Sequence, residues 1–143
     1  MRLLTIGAGG VGQSAAMIIK TAGQKGLWLE QMILADYDEE RAREVVRLVD
    51  DSRFKAEKLD AGDKAAIIEM IQKYNCTFVL NVVAPSFNEI IFEAAYEAGV
   101  GYMDCAMTLS KRHPEKPYEV PYIKLGDYQF DQDEKWEKKA LWR

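Results

Sequence analysis

Histidine, cysteine and net positive charge are what this 143-residue sequence has least of. One histidine, His113, and two widely separated cysteines, Cys76 and Cys105, with no CxxC spacing, supply neither a zinc ligand set nor a disulfide framework. Both thiols are expected as small buried hydrophobes of a reduced, cytoplasmic protein. The formal net charge is −4 and the isoelectric point about 5.1. That balance excludes a broad nucleic-acid surface, because phosphate binding needs clustered Lys and Arg. The one dense basic patch, Lys135, Lys138 and Lys139, is interleaved with Glu134 and Glu137 and reads as a solvated helix face. A membrane segment is missing too. The single long uncharged stretch, Leu3 to Ile19, carries Gly7, Gly9, Gly10 and Gly12 where a spanning or signal helix would be centred, each costing about 1 kcal/mol in a helix interior.

What is present is enough for a core: 48% hydrophobic and 29% charged residues, the composition of one globular domain. Short apolar runs alternate with helical periodicity. Leu3 to Ile6 reads as a buried strand, followed by a helix with Val11, Ala15, Ile18, Ile19 and Ala22 on its apolar stripe. Gln31 to Ala35 is a second strand, and Glu39 to Val49 a helix striped by Ala42, Val45, Val46 and Val49. Phe54 to Leu59 predicts a third strand; Asp63 caps a helix carrying Ala66, Ile67, Met70 and Ile71. Thr77 to Val83 is a near-continuous apolar run, as for a strand covered on both faces, and Ser86 caps a helix through Ala98. Gly101 to Asp104 makes a fifth strand. This rhythm predicts an α/β fold, a doubly wound parallel sheet of Rossmann type in strand order 3-2-1-4-5. Residues 1–105 form its body. Residues 106–143 extend it as a proline-rich loop and a final helix from Gln129 to Leu141, which sets Phe130, Trp136 and Ala140 against the body.

Gly7-Ala8-Gly9-Gly10-Val11-Gly12 matches GxGxxG between the first strand and the first helix. The chain there must turn sharply, admit a pyrophosphate against bare backbone and pack the helix close to the sheet, separate demands on Gly7, Gly9 and Gly12. Amide N–H groups of Gly10 and Val11, with the positive end of the helix dipole, suit an anion. Asp36 ends the second strand 24 residues beyond Gly12, close to the spacing of the acid that accepts hydrogen bonds from the adenosine ribose. Each such bond contributes about 1.5–3 kcal/mol net. A 2′-phosphate about 4 Å away would be repelled by on the order of 4 kcal/mol. NAD is therefore the expected cofactor, with NADP as the alternative that Arg41 and Arg43 leave open. Two further strand ends face the same crevice. Asp60 and Ala61 border the adenine or form a plain turn; Ala84 and Pro85 lay rigid backbone along the nicotinamide half or lead into the next helix. Asp104 reads as a cap more than a ligand contact, Cys105 lacks the basic neighbours of a nucleophile, and His113 sits alone in the loop. No residue presents itself as catalytic, and none as a metal ligand.

Taken together, "LLTIGAGGVGQSAA", "ADYDEERAREV", "LDAGD", "NVVAPSFN", "EAGVGYMD" and the later "HPEKPY" and "KLGDYQFDQDEKW" resemble the amino-terminal half of the saccharopine dehydrogenase-like family. The resemblance implies dinucleotide contacts at Gly7, Gly9, Gly10, Val11, Gly12, Asp36, Asp60, Ala61, Ala84 and Pro85. It also implies hydride transfer between NAD(P) and the C–N bond of a secondary amine, as in saccharopine breakdown to lysine or glutamate. Family members continue into a substrate and dimerisation domain that this sequence lacks. The expectation is thus a truncated chain that binds cofactor, meets its amino-acid-like substrate through the missing part and does not turn over alone, with pairing into a homodimer left open. The rival reading is a nucleotide-sensing regulatory module, which would lack the aromatic, proline-rich segment after Asp104.

Overall fold

A computed structural model describes residues 1–139. Five strands, β1 (Arg2–Ile6), β2 (Gln31–Asp36), β3 (Phe54–Lys58), β4 (Phe78–Asn81) and β5 (Gly101–Asp104), form one sheet in the order β3-β2-β1-β4-β5. Every pairing is parallel. The intervening helices are α1 (Gly10–Thr21), α2 (Glu39–Val49), α3 (Lys64–Lys73) and α4 (Asn88–Ala98). Successive strand residues point to opposite faces, so the sheet feeds two cores. Leu4, Ile6, Ile33 and Val79 pack towards α3 and α4, whereas Leu3, Met32 and Leu34 pack towards α1 and α2. This double covering is why β1 and β2 carry no charge between Leu3 and Ala35 within their strand interiors.

Local chemistry sets the helix ends. Asp38 accepts a hydrogen bond from the Glu40 N–H at 3.1 Å to open α2, and Asp63 accepts one from the Ala66 N–H at 3.0 Å to open α3, each satisfying an amide the helix leaves unpaired. Ser86, expected to do the same for α4, makes no cap; Pro85–Phe87 is a 3-10 turn and α4 begins at Asn88 without a side-chain cap. The proline fixes a turn geometry ahead of the helix, and Ser86 lies inside that turn.

The buried face of α1 is Gly12 and Ala16, with Ala15 and Ile19 half-buried, while Val11 and Ile18 of the expected stripe are exposed. Gly12 holds that face because the helix lies against the β1 turn, where a Cβ on it would meet the Gly7 carbonyl oxygen. The fourth strand stops at Asn81, short of Val83, because the Asn81 side chain takes over: its Oδ1 accepts from the Val83 N–H at 3.1 Å and bends the chain.

Past β5, an antiparallel bridge between Lys111 and Ile123 organises the proline-rich loop. The expected terminal helix is two pieces, α5 (Asp127–Phe130) and α6 (Asp133–Lys138). Trp136 is buried, its ring 4.6 Å from that of Phe92, but Phe130 is exposed. The break lets Tyr128 bind Glu93 and Trp136 enter the core together. Ala140 and Leu141 lie outside the described residues. Cys76 is buried, and burial pushes its thiol up to about 11; Cys105, expected to be buried as well, is exposed at the end of the edge strand. No helix among the described residues is long and apolar enough to cross a membrane.

A buried polar knot ties β4, α4 and β5 beside the site. Asn81 Nδ2 donates to Asn88 Oδ1 at 2.8 Å and to the Tyr102 hydroxyl at 3.0 Å, and Asn88 Nδ2 donates to the Ala106 carbonyl. Burial pushes the Tyr102 phenol above its usual range, so it serves as a neutral partner. Asn88→Ala should therefore cost about 1–3 kcal/mol by stranding the Ala106 carbonyl and part of the Asn81 amide. Urea denaturation reads this directly, and an unmoved midpoint would remove the knot from the account of the fold.

Candidate functional site

In parallel sheets the carboxyl ends of the strands are open where the strand order reverses. Here β1 is followed on one side by β2 and on the other by β4, and a crevice of about 440 Å³ opens at that edge. Gly7 and Gly9 enter it from the end of β1, Asp36 from β2, Asp60 and Ala61 from the chain after β3, and Ala84 from the chain after β4. Six of the ten residues singled out in the sequence thus share one cavity. Gly10, Val11, Gly12 and Pro85 do not line it: Gly10 and Val11 are exposed on the first turn of α1, Gly12 is buried behind the loop, and Pro85 starts the 3-10 turn.

The glycines differ in what holds them. Gly7 has φ +111°, a region that L side chains avoid, and its N–H donates to the Ala35 carbonyl at 2.7 Å. A Cβ on Gly12 would stand 2.1 Å from the Gly7 carbonyl oxygen. Gly9 has φ −72° and ψ −167°, extended backbone open to any residue, and a Cβ there would meet nothing within 4 Å. The fold therefore needs Gly7 and Gly12, whereas nothing among the described residues needs Gly9. Gly9 is also the N-cap of α1 and supplies no side-chain cap, which leaves the first-turn amides of a 12-residue helix to an external acceptor.

Asp36 locks the loop. Its Oδ2 accepts from the Ala8 N–H at 2.8 Å and its Oδ1 from the Asp38 N–H at 2.9 Å. Each carboxylate oxygen has a second lone pair, so acceptor capacity towards the crevice remains. Asp60 both lines the crevice and makes a turn, its Oδ1 accepting from the Gly62 N–H at 2.8 Å; the two readings of this residue coexist. Arg41, Tyr37 and Phe87 also line the crevice. Tyr37 and Phe87 are not marked by the sequence motif; their positions one residue after Asp36 and inside the Pro85 turn are the available signals. Asp104 stands elsewhere, accepting from Gln129 Nε2 at 2.6 Å beside a second hollow floored by Phe92 and Trp136. The imidazole Nδ1 of His113 accepts from the Glu115 and Lys116 N–H groups at 3.2 and 3.1 Å, which makes it a loop organiser.

Residues 3–141 match the family model described as the saccharopine dehydrogenase NADP binding domain. The chain is 27% identical over 117 residues to carboxynorspermidine synthase of Vibrio cholerae, covering 76% of this chain and 28% of that protein. It is 26% identical over 105 residues to carboxyaminopropylagmatine dehydrogenase of Synechocystis sp., covering 73% and 25%. The chain spans about a quarter of the length of these curated relatives. Among solved structures it resembles saccharopine dehydrogenase (L-Glu forming) of Saccharomyces cerevisiae, with a TM-score of 0.60 and 16% identity over 79% of this chain and 22% of that one. It also resembles the Vitis vinifera leucoanthocyanidin reductase–NADPH complex, with a TM-score of 0.59 and 10% identity over 99% and 47%. At these identities the likeness is one of fold.

Proposed function

The chain belongs to the saccharopine dehydrogenase NADP-binding-domain family, and from that premise we propose that its crevice holds a pyridine dinucleotide for an oxidoreductase acting on the C–N bond of a secondary amine. The supporting observation is Gly9, a glycine that neither backbone strain nor any neighbour requires, at the spot where a pyrophosphate would lie against main chain. The residues present fit such a group. In this reading the first-turn N–H groups of Gly10 and Val11 and the dipole of α1 hold the pyrophosphate. Gly7 and Gly12 shape the turn, and Asp36 accepts from the adenosine ribose hydroxyls. Asp60 and Ala61 border the adenine, and the backbone at Ala84 and Pro85 runs along the nicotinamide half. When bound, the cofactor supplies the hydride acceptor or donor.

Asp36 favours NAD, because a ribose diol donates to a carboxylate that would repel a 2′-phosphate. The names of the curated relatives point to carboxylated polyamines as a substrate class alongside saccharopine. Calorimetry on the pure chain should show saturable heat with NAD or NADH. The reading is overturned if neither coenzyme, in either redox state and with or without the 2′-phosphate, binds at millimolar concentration.

A further inference from the structure

We propose that Asn81 is a positioning residue for the nicotinamide half of the dinucleotide: its buried amide fixes the Val82–Ala84 wall of the crevice, and Asn88 fixes the amide. The proposal rests on the crevice being the dinucleotide site, as assigned above. Val82, Val83 and Ala84 all line the crevice, and each is pinned in its own way. The Val82 N–H donates to the Ile6 carbonyl at 3.0 Å, which ties the chain to β1. The Ala84 carbonyl accepts from the Phe87 N–H at 3.1 Å across the 3-10 turn. Val83 lies between strand and turn, and its N–H is held by a side chain, with Asn81 Oδ1 at 3.1 Å. Two of these pins are main chain to main chain; the middle one depends on one amide. It also sits where the wall meets the glycine turn, since a Cβ built on Gly7 would lie 2.9 Å from Val83 Cγ1.

That amide holds the bond in one orientation. Asn81 and Asn88 are each 1% exposed, and Asn81 Nδ2 has both protons committed, one to Asn88 Oδ1 and one to the Tyr102 hydroxyl. Asn88 is kept from turning over because its own Nδ2 donates to the Ala106 carbonyl. Turned over, the Asn81 amide would set its oxygen against Asn88 Oδ1 and its NH2 group against the Val83 N–H, acceptor facing acceptor and donor facing donor in the interior. The Tyr102 hydroxyl does not discriminate in this way, since it donates as readily as it accepts. Orientation therefore comes from Asn88, and Tyr102 only satisfies the second proton. Apolar side chains of matching shape would serve stability about as well as this set of amides, so stability alone does not account for it. What a satisfied buried network adds is rigidity and direction, delivered here from the chain after β5, through Asn88 and Asn81, to one main-chain N–H of the crevice wall.

The test compares NADH with 5′-ADP, which carries the adenosine and pyrophosphate but no nicotinamide half, by calorimetry on the wild type and the Asn81→Ser, Asn88→Ala and Tyr102→Phe chains. Asn81→Ser and Asn88→Ala should bind NADH about tenfold or more weakly than the wild type while 5′-ADP stays within about twofold. Tyr102→Phe should lose stability and keep the wild-type ratio of the two affinities. Amide hydrogen exchange of the wild type needs no substitution, so it decides the matter even if the Asn81→Ser chain does not fold: the Val83 N–H should exchange about 100-fold more slowly than the Gly10 N–H. The proposal fails if NADH and 5′-ADP affinities fall together, if Asn88→Ala keeps the wild-type affinity for NADH, or if the Val83 N–H exchanges as fast as that of Gly10. A wild type that binds NADH no more tightly than 5′-ADP overturns the role of the wall and leaves the crevice assignment standing; one that binds neither overturns both.

Discussion

Gly12→Ala is expected to destabilise the domain by more than about 4 kcal/mol, among the largest effects a single substitution has. The added methyl would sit 2.1 Å from the Gly7 carbonyl oxygen, a backbone atom with no rotamer to change. Extra methylenes in a packed interior cost about 1–3 kcal/mol when side chains can yield; here the helix or the turn must move. The turn is held on every side. Gly7 sits at φ +111°, its N–H is bound to Ala35, and a Cβ on it would itself meet Val83 Cγ1 at 2.9 Å. Against a total stability of about 5–15 kcal/mol for a domain of this size, such a loss removes between about a quarter and four fifths of the margin. Far-ultraviolet circular dichroism with urea titration reads the outcome. A Gly12→Ala chain whose midpoint matches the wild type would mean that α1 does not lie against the turn as described.

Gly9→Leu should do the opposite: abolish dinucleotide binding, by at least about 100-fold, with the loss of stability held to about 1 kcal/mol, the cost of an apolar residue at an N-cap. Position 9 is exposed, its backbone is already extended, and an added Cβ meets nothing, so the fold has no objection to a side chain. The ligand does, because a branched chain there fills the approach to the first-turn amides of α1. Calorimetry and thermal melting on the same preparation separate the two effects. Retained affinity would remove the pyrophosphate from this loop, and a larger loss of stability would make Gly9 a structural glycine after all. The two substitutions, three residues apart in one motif, are thus predicted to fail for unrelated reasons.

Much of the sheet was legible along the chain because its signals are local. Asp63 sits ahead of a helical stripe, α2 shows its apolar face as Ala42, Val45, Val46 and Val49, and Gly99 ends α4 in the left-handed conformation at φ +73°. Alternation of such units leaves parallel pairing and the reversed strand order as the economical packing. The crevice was legible in part, since Gly10, Val11, Gly12 and Pro85 do not line it. GxGxxG after a strand and an acid at the next strand end located the crevice, and Gly7, Gly9, Asp36, Asp60, Ala61 and Ala84 meet there.

The misreadings concern faces, ends and breaks that contacts with remote segments set. Val11 and Ile18 fit a helical period as well as Gly12 and Ala16 do, and only the close approach of α1 to the Gly7 turn chooses between the two faces. The end of β4 was set by the Asn81 amide, whose partners Asn88 and Tyr102 arrive from later elements. The last helix broke so that Tyr128 and Trp136 could both be anchored, on Glu93 and in the aromatic cluster around Phe92.

The amino-acid sequence by itself determined the succession of strands and helices, the parallel sheet, the glycine turn and the acid that closes it, because each rests on near neighbours along the chain: periods, caps and the spacing of one motif. Tertiary structure alone decided that no described residue crowds Gly9, that Arg41 faces the crevice, and that Cys105 stays outside the core. Those outcomes depend on distances between segments remote in sequence, and a contact of a few ångströms across the fold leaves no mark in the local pattern.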